Sequence, residues 1–220
     1  MNPDALPSCR APTRRLRAAV LSRRLAAVNL PNSITVSRLI LTAVFVGAFT
    51  IGGPAGFGVA LGSFLTAAFS DFLDGYLARK LNLVTPLGKL LDPIADKVLV
   101  ASAFVFLCAH PLPLCPAWVV VVILAREFLV TGLRQIAVEQ GRVIASDWSG
   151  KWKTIFQLAF CLTALTGLFL ESIGAGHTLP GRLTRPPSLL LPVFLWLALA
   201  LTAISGAQYA WSSRHLLRTR

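Results

Sequence analysis

No residue between Arg38 and Asp71 carries a formal charge, and none does between Lys97 and Arg126 with His110 neutral. A bilayer core needs only about 20 apolar residues per helix. Each run is therefore too long for one crossing, and each has a break in its middle. Gly52-Gly53-Pro54-Ala55-Gly56 divides the first, and His110-Pro111-Leu112-Pro113 with Pro116 divides the second. These breaks, with the later apolar stretches, predict six helices near 34–52, 56–73, 88–109, 117–140, 152–172 and 188–212. Composition agrees: hydrophobic residues are 55% of the 220 and charged ones 14%, against about 25% charged in ordinary globular chains. That excludes a disordered chain, a disulfide scaffold and a plain cytosolic enzyme. The four cysteines, Cys9, Cys108, Cys115 and Cys161, form no C-x-x-C pair and read as apolar filler. The start of the chain is polar and arginine-rich and holds no signal-peptide core.

The positive charges orient the bundle. Of the 21 Lys and Arg residues, only Arg182 and Arg185 fall on the side opposite the others. This asymmetry predicts a multi-pass protein with an even number of spans and both termini in the cytoplasm. Arg14–Val28 alternates arginines with Leu16, Val20, Leu21, Leu25 and Val28 at helical spacing, which predicts an amphipathic helix lying in the membrane interface. Residues 1–28 thus form a basic tail and interfacial helix, and 29–220 an all-α integral membrane bundle of six transmembrane helices. The net charge of +12 accompanies apolar runs, so the expected partner is anionic lipid, with no nucleic acid.

Four of the nine carboxylates, Asp71, Asp74, Asp92 and Asp96, gather at the ends of two consecutive apolar helices. Carboxylates near a membrane are costly, about 2.5–3.5 kcal/mol each at a helix centre. Spacings of i, i+3 and i, i+4 put each pair on one helix face. A short cytoplasmic loop can bring the two faces together, and four carboxylates in one pocket repel unless cations sit between them. All-oxygen ligands favour Mg²⁺, Mn²⁺ or Ca²⁺ over zinc, and two bridged divalent ions suit phosphoryl transfer. Gly75 permits close approach of a substrate, Ala78 is small, Arg79 presents a phosphate-binding fork and Gly88 lies one turn before Asp92. Simple salt bridging of the aspartates to Arg79, Lys80, Lys89 and Lys97 would require neither the glycines nor the spacing.

Written out, D71-F-L-D74-G75-Y-L-A78-R79, eight residues, then G88-K-L-L-D92-P-I-A-D96 resembles the signature of the CDP-alcohol phosphatidyltransferase family at every fixed position. The resemblance implies transfer of a substituted phosphate from a CDP-linked donor to an alcohol, with release of CMP. It implies that Asp71, Asp74, Asp92 and Asp96 bind metal, Mg²⁺ or Mn²⁺ in two sites, and that Asp96 is also the catalytic base. It implies a CDP-diacylglycerol site of Asp74, Gly75, Ala78, Arg79 and Gly88, with Arg38 at the mouth of the first helix assigned to it as well. A homodimer is implied too.

The acceptor should be read outside the signature. Arg126 and Glu127 form a charged pair inside an apolar helix, Arg134 lies on roughly the same face, and Lys151 and Lys153 open the fifth helix. Arg126, Arg134, Lys151 and Lys153 exceed what lipid anchoring needs and suit an acceptor that carries its own phosphate. From about Asn29 to about Thr154 these segments resemble the bacterial phosphatidylglycerophosphate synthases, which implies sn-glycerol 3-phosphate as acceptor and a bacterial inner membrane with the active site cytoplasmic. Rival readings are a cardiolipin synthase or phosphatidylinositol phosphate synthase of the same family and, from another class, a cation channel or transporter lined by intramembrane aspartates.

Overall fold

The computed structural model describes residues 36–81, 86–112, 114–139, 148–184 and 188–213, and for 71–81, 86–94, 96, 138–139, 149, 210 and 212–213 it describes the backbone alone. The interfacial helix expected at Arg14–Val28, and with it the 1–28 division, lies outside the described residues. The described residues form α1 (Val36–Ile51), α2 (Gly53–Leu81), α3 (Pro86–Ala109), α4 (Ala117–Glu139), α5 (Trp148–Ser172), α6 (Leu179–Thr184) and α7 (Leu190–Ser213), with no strand among them. The all-α class stands.

Three helices are long and apolar enough to cross a membrane, over Gly53–Ser70, Gly150–Ser172 and Leu190–Tyr209. The apolar parts of α1 and α3 are shorter, Val36–Ile51 and Lys97–Ala109, and Arg126, Glu127 and Arg134 interrupt α4. The outer faces are apolar: Ile51, Phe69, Val121, Leu189 and Trp211 all stand exposed, an arrangement costly in water and ordinary against lipid.

The turn between α1 and α2 is tighter than the five-residue break suggests. Gly52 and Gly53 both adopt φ +68, a left-handed conformation that suits glycine. Gly52 alone lies outside the helices, and a Cβ on Gly56 would meet the Ala48 carbonyl at 2.6 Å. Glycine therefore lets α2 fold directly back on α1, with Pro54 in its first turn, where the missing N–H is not needed. The far end of α2 corrects the expected boundary at 73, since the helix continues to Leu81. Charge marks where an apolar run ends, whereas backbone hydrogen bonding continues past it.

α5 is the central helix, packing against α2, α3, α6 and α7, and α7 packs in turn on α4. Phe104 of α3 stacks on Phe160 of α5, centroids 5.3 Å apart. Ala60, Ala67, Ala103, Ala164 and Ala198 are buried between the helices, where small side chains let backbones approach. The segment after α5 is more ordered than its lack of periodicity suggests: a 3₁₀ turn at Ala175–His177 leads into α6. This cap is seated tightly, for a Cβ on Gly167 would strike the Thr184 carbonyl at 2.5 Å. Cys108, Cys115 and Cys161 are unbridged. Burial pushes the Cys115 thiol up to about 12, in keeping with its reading as filler.

Candidate active site

The backbone places Asp71, Asp74, Gly75, Ala78 and Arg79 on the last third of α2, and Gly88, Asp92 and Asp96 on the first half of α3. Each aspartate pair therefore keeps the helical spacing that puts it on one face. The two helices follow one another and pack together. Among the described side chains, no group of three His, Cys, Asp or Glu could hold a metal ion. The four aspartates supply hard oxygen donors only, a chemistry that fits Mg²⁺ or Mn²⁺.

A cavity of about 610 Å³ opens between α3, α4, α5 and α7. Arg126, Arg134, Lys151 and Lys153 all line it, so the four cations expected to bind the acceptor meet in one place. Lys97, Glu127, Thr131, Thr154, Gln157 and Tyr209 complete its polar wall, while Val100, Ala101, Ile123 and Leu124 supply apolar surface. Val100 stands one turn beyond Asp96 on the same face of α3, so the face that carries Asp92 and Asp96 leads to the cavity wall.

Glu127 organises the charges. Lys153 Nζ donates to its Oε1, Arg126 Nη1 donates to the same oxygen at 3.5 Å, and Lys97 Nζ stands 3.8 Å from Oε2. Lys153 is only 4% exposed. A cation buried that far requires a partner, because desolvation of an unpaired charge costs several kcal/mol. One carboxylate thus holds three cations from three helices. With Arg134 and Lys151 added, five of the described side chains that line the cavity are cationic and one, Glu127, is anionic. Arg126 Nε is buried without a hydrogen-bond partner among the described residues.

Sequence reading paired Glu127 with Arg126 alone and overlooked Lys97, Thr131, Gln157 and Tyr209. The only sequence signal for Glu127 was a carboxylate in an apolar helix. Arg38 is buried near the start of α1, where its carbonyl accepts from Thr42 Oγ1 at 2.9 Å, and it does not line the cavity.

The aspartate spacing and a cationic cavity beside it describe a site for phosphate chemistry, and comparison with known proteins identifies the kind. Residues 28–204 match the family model described as CDP-alcohol phosphatidyltransferase. The chain belongs to the CDP-alcohol phosphatidyltransferase family. Among its relatives is the CDP-diacylglycerol–glycerol-3-phosphate 3-phosphatidyltransferase of Bacillus subtilis (strain 168), 38% identical over 203 residues that cover 87% of this chain and 98% of the relative. A probable phosphatidylglycerophosphate synthase of Mycobacterium tuberculosis (strain ATCC 25618 / H37Rv) is 38% identical over 192 residues, 86% of this chain and 83% of that protein. A CMP-forming cardiolipin synthase of Oryza sativa subsp. japonica is 37% identical over 151 residues, 63% of this chain and 45% of the relative.

Proposed function

We propose that this phosphatidyltransferase moves the phosphatidyl group of CDP-diacylglycerol to sn-glycerol 3-phosphate, forming phosphatidylglycerol phosphate and CMP for phospholipid biosynthesis. The observation that carries this reading is the convergence of Arg126, Arg134, Lys151 and Lys153 on one cavity. Glycerol 3-phosphate is close to a dianion, small enough for such a cavity, and has little besides its phosphate and hydroxyls to grip. The names of the bacterial relatives point the same way.

In this reading Asp71, Asp74, Asp92 and Asp96 hold two divalent ions, Mg²⁺ or Mn²⁺, and the ions supply charge neutralisation for the donor's pyrophosphate. Gly75, Ala78 and Gly88 leave room for the cytidine diphosphate, Arg79 forks onto a phosphate, and Arg38 serves the donor from the start of α1. Asp96 takes the proton from the primary hydroxyl of glycerol 3-phosphate. That oxygen bonds to the phosphorus bearing the diacylglycerol, the bond from this phosphorus to CMP breaks, and CMP leaves with the electron pair. The cavity cations hold the acceptor's own phosphate, and so fix which hydroxyl reaches Asp96.

The same reading gives the bundle six crossings of a bacterial inner membrane, a cytoplasmic active site, an N-terminal helix on anionic lipid and a homodimeric state. The grouping of all Lys and Arg except Arg182 and Arg185 on one side of the expected bundle supports it. Membership of a transferase family sets aside the channel reading. A cardiolipin synthase remains the second reading because of the rice relative. Its acceptor, phosphatidylglycerol, carries a single negative charge, which calls for fewer cations than Arg126, Arg134, Lys151 and Lys153 supply.

The deciding experiment supplies purified protein with CDP-diacylglycerol and Mg²⁺, then glycerol 3-phosphate, phosphatidylglycerol or inositol phosphate in turn, and follows CMP release. Release with glycerol 3-phosphate alone is expected. Release with phosphatidylglycerol instead would overturn the acceptor assignment.

A further inference from the structure

We infer that α7 carries a seat for Arg126, formed by Ser205, Gly206 and Tyr209, and that these three are positioning residues for acceptor binding. The inference rests on Arg126 as an acceptor ligand. The family match ends at residue 204, so all three lie just beyond it.

Three contacts define the seat. Arg126 Nη2 donates to Ser205 Oγ at 2.7 Å. The Arg126 guanidinium carbon stands 5.6 Å from the centre of the Tyr209 ring, within the range of a cation–π contact. A Cβ on Gly206 would come within 3.1 Å of Arg126 Cγ, so the aliphatic stem lies against bare helix backbone. Ser205 and Tyr209 are one turn apart and share a face of α7. Ser205 is fully buried and Tyr209 nearly so. The Ser205 hydroxyl is itself oriented, since it donates to the Thr202 carbonyl at 3.4 Å and so turns its lone pairs toward Arg126.

The lengths of the Arg126 contacts state what the seat does. Its bond to the neutral serine hydroxyl is 2.7 Å, while its contact to the neighbouring Glu127 carboxylate is 3.5 Å. In apolar surroundings an arginine would be drawn tightly onto the adjacent carboxylate. Held by α7 instead, the guanidinium shares Glu127 with Lys153 and Lys97 and keeps its charge turned to the cavity. α7 thereby sets the position of an acceptor ligand on α4, although among the described residues of α7 Tyr209 alone lines the cavity.

The test is steady-state kinetics of the full-length enzyme with both substrates, accompanied by thermal unfolding. Ser205→Ala should raise the KM for glycerol 3-phosphate about three- to tenfold while the KM for CDP-diacylglycerol stays within about twofold. Tyr209→Leu should do the same, and Tyr209→Phe, which keeps the ring, should recover most of the loss. Gly206→Ala should weaken acceptor affinity while thermal stability holds or rises, because alanine is the better helix former. That opposition is one a purely packing role would not produce. In an Arg126→Gln background, Ser205→Ala should add nothing. If Ser205→Ala keeps its full effect there, or raises both KM values alike, the seat is overturned. If Arg126→Gln raises the acceptor KM and the α7 substitutions leave it unchanged, the seat falls alone. If Arg126→Gln leaves it unchanged, the acceptor reading falls and takes the seat with it.

Discussion

The two ends of this bundle solve opposite packing problems with the same helices. At one end, Phe45 and Phe49 of α1, Phe57 of α2 and Phe106 of α3 meet beside His110, with neighbouring rings 5.4–6.4 Å apart in tilted or edge-on pairs. At the other, α3, α4, α5 and α7 splay around a 610 Å³ cavity walled by five cations and one carboxylate. Aromatic rings fill space and gain about 0.5–1.5 kcal/mol per pair beyond burial. A charged void in apolar surroundings is costly to maintain. The first end is filled by packed rings, and the second retains an unfavourable arrangement that a bound dianion would relieve. Substitutions at the two ends should therefore separate activity from stability.

The largest effect is expected on turnover at the charged end. Asp96→Asn keeps the side-chain shape and removes the basic oxygen, so turnover should fall about 10²–10⁴-fold with CDP-diacylglycerol binding largely kept. Chelation of divalent ions should abolish activity, and added Mg²⁺ or Mn²⁺ should restore it. Near-normal turnover of Asp96→Asn at neutral pH would remove the base from α3.

Next comes the aromatic end. Phe45 is fully buried and touches the rings of Phe49, Phe64 and Phe106. Phe45→Ala should cost about 3–5 kcal/mol of stability, measured by denaturation in detergent, with both KM values unchanged in the protein that remains folded. A change in acceptor KM would mean that the two ends are coupled.

A smaller effect belongs to one cation. Lys151→Gln should raise the KM for glycerol 3-phosphate about 10- to 150-fold, the equivalent of one hydrogen bond to a charged group at roughly 1.5–3 kcal/mol. The KM for CDP-diacylglycerol should move much less. Equal losses for both substrates would reduce Lys151 to an anchor at the membrane surface.

The smallest effect returns to the rings. His110 Nδ1 accepts from the Leu112 N–H at 3.2 Å, and its ring lies against Phe49 and Phe57. His110→Phe exchanges that hydrogen bond for added ring surface, so stability should change by no more than about 1 kcal/mol. Activity between pH 6 and 8 should keep its wild-type profile. A lost pH dependence would make His110 part of the site.

Much of the bundle was legible because a membrane imposes a simple code. Charge-free runs and the Gly and Pro residues that divide them locate six long helices within a few residues at most ends. The exceptions have physical causes. α2 outlasts its apolar run because Asp71 and the residues after it leave the apolar stretch without leaving the helix. No periodicity marks α6 in the sequence, since its six residues contain Pro180 and Gly181. It is a tertiary element, held where α5 offers the bare backbone of Gly167 to the Thr184 carbonyl.

The site divides along the same line. The sequence by itself determined the aspartate stripes, because i, i+3 and i, i+4 spacings become faces as soon as a helix forms. It also supplied the cations in number and kind. Only the tertiary structure decided that Lys97, Arg126, Arg134, Lys151 and Lys153 share one cavity, that Glu127 holds three of them, and that Ser205, 79 positions from Arg126, seats its guanidinium. Spacing along one helix is a local property of the chain. Contacts between helices depend on how α3, α4, α5 and α7 pack, and that is set by burial over the whole bundle.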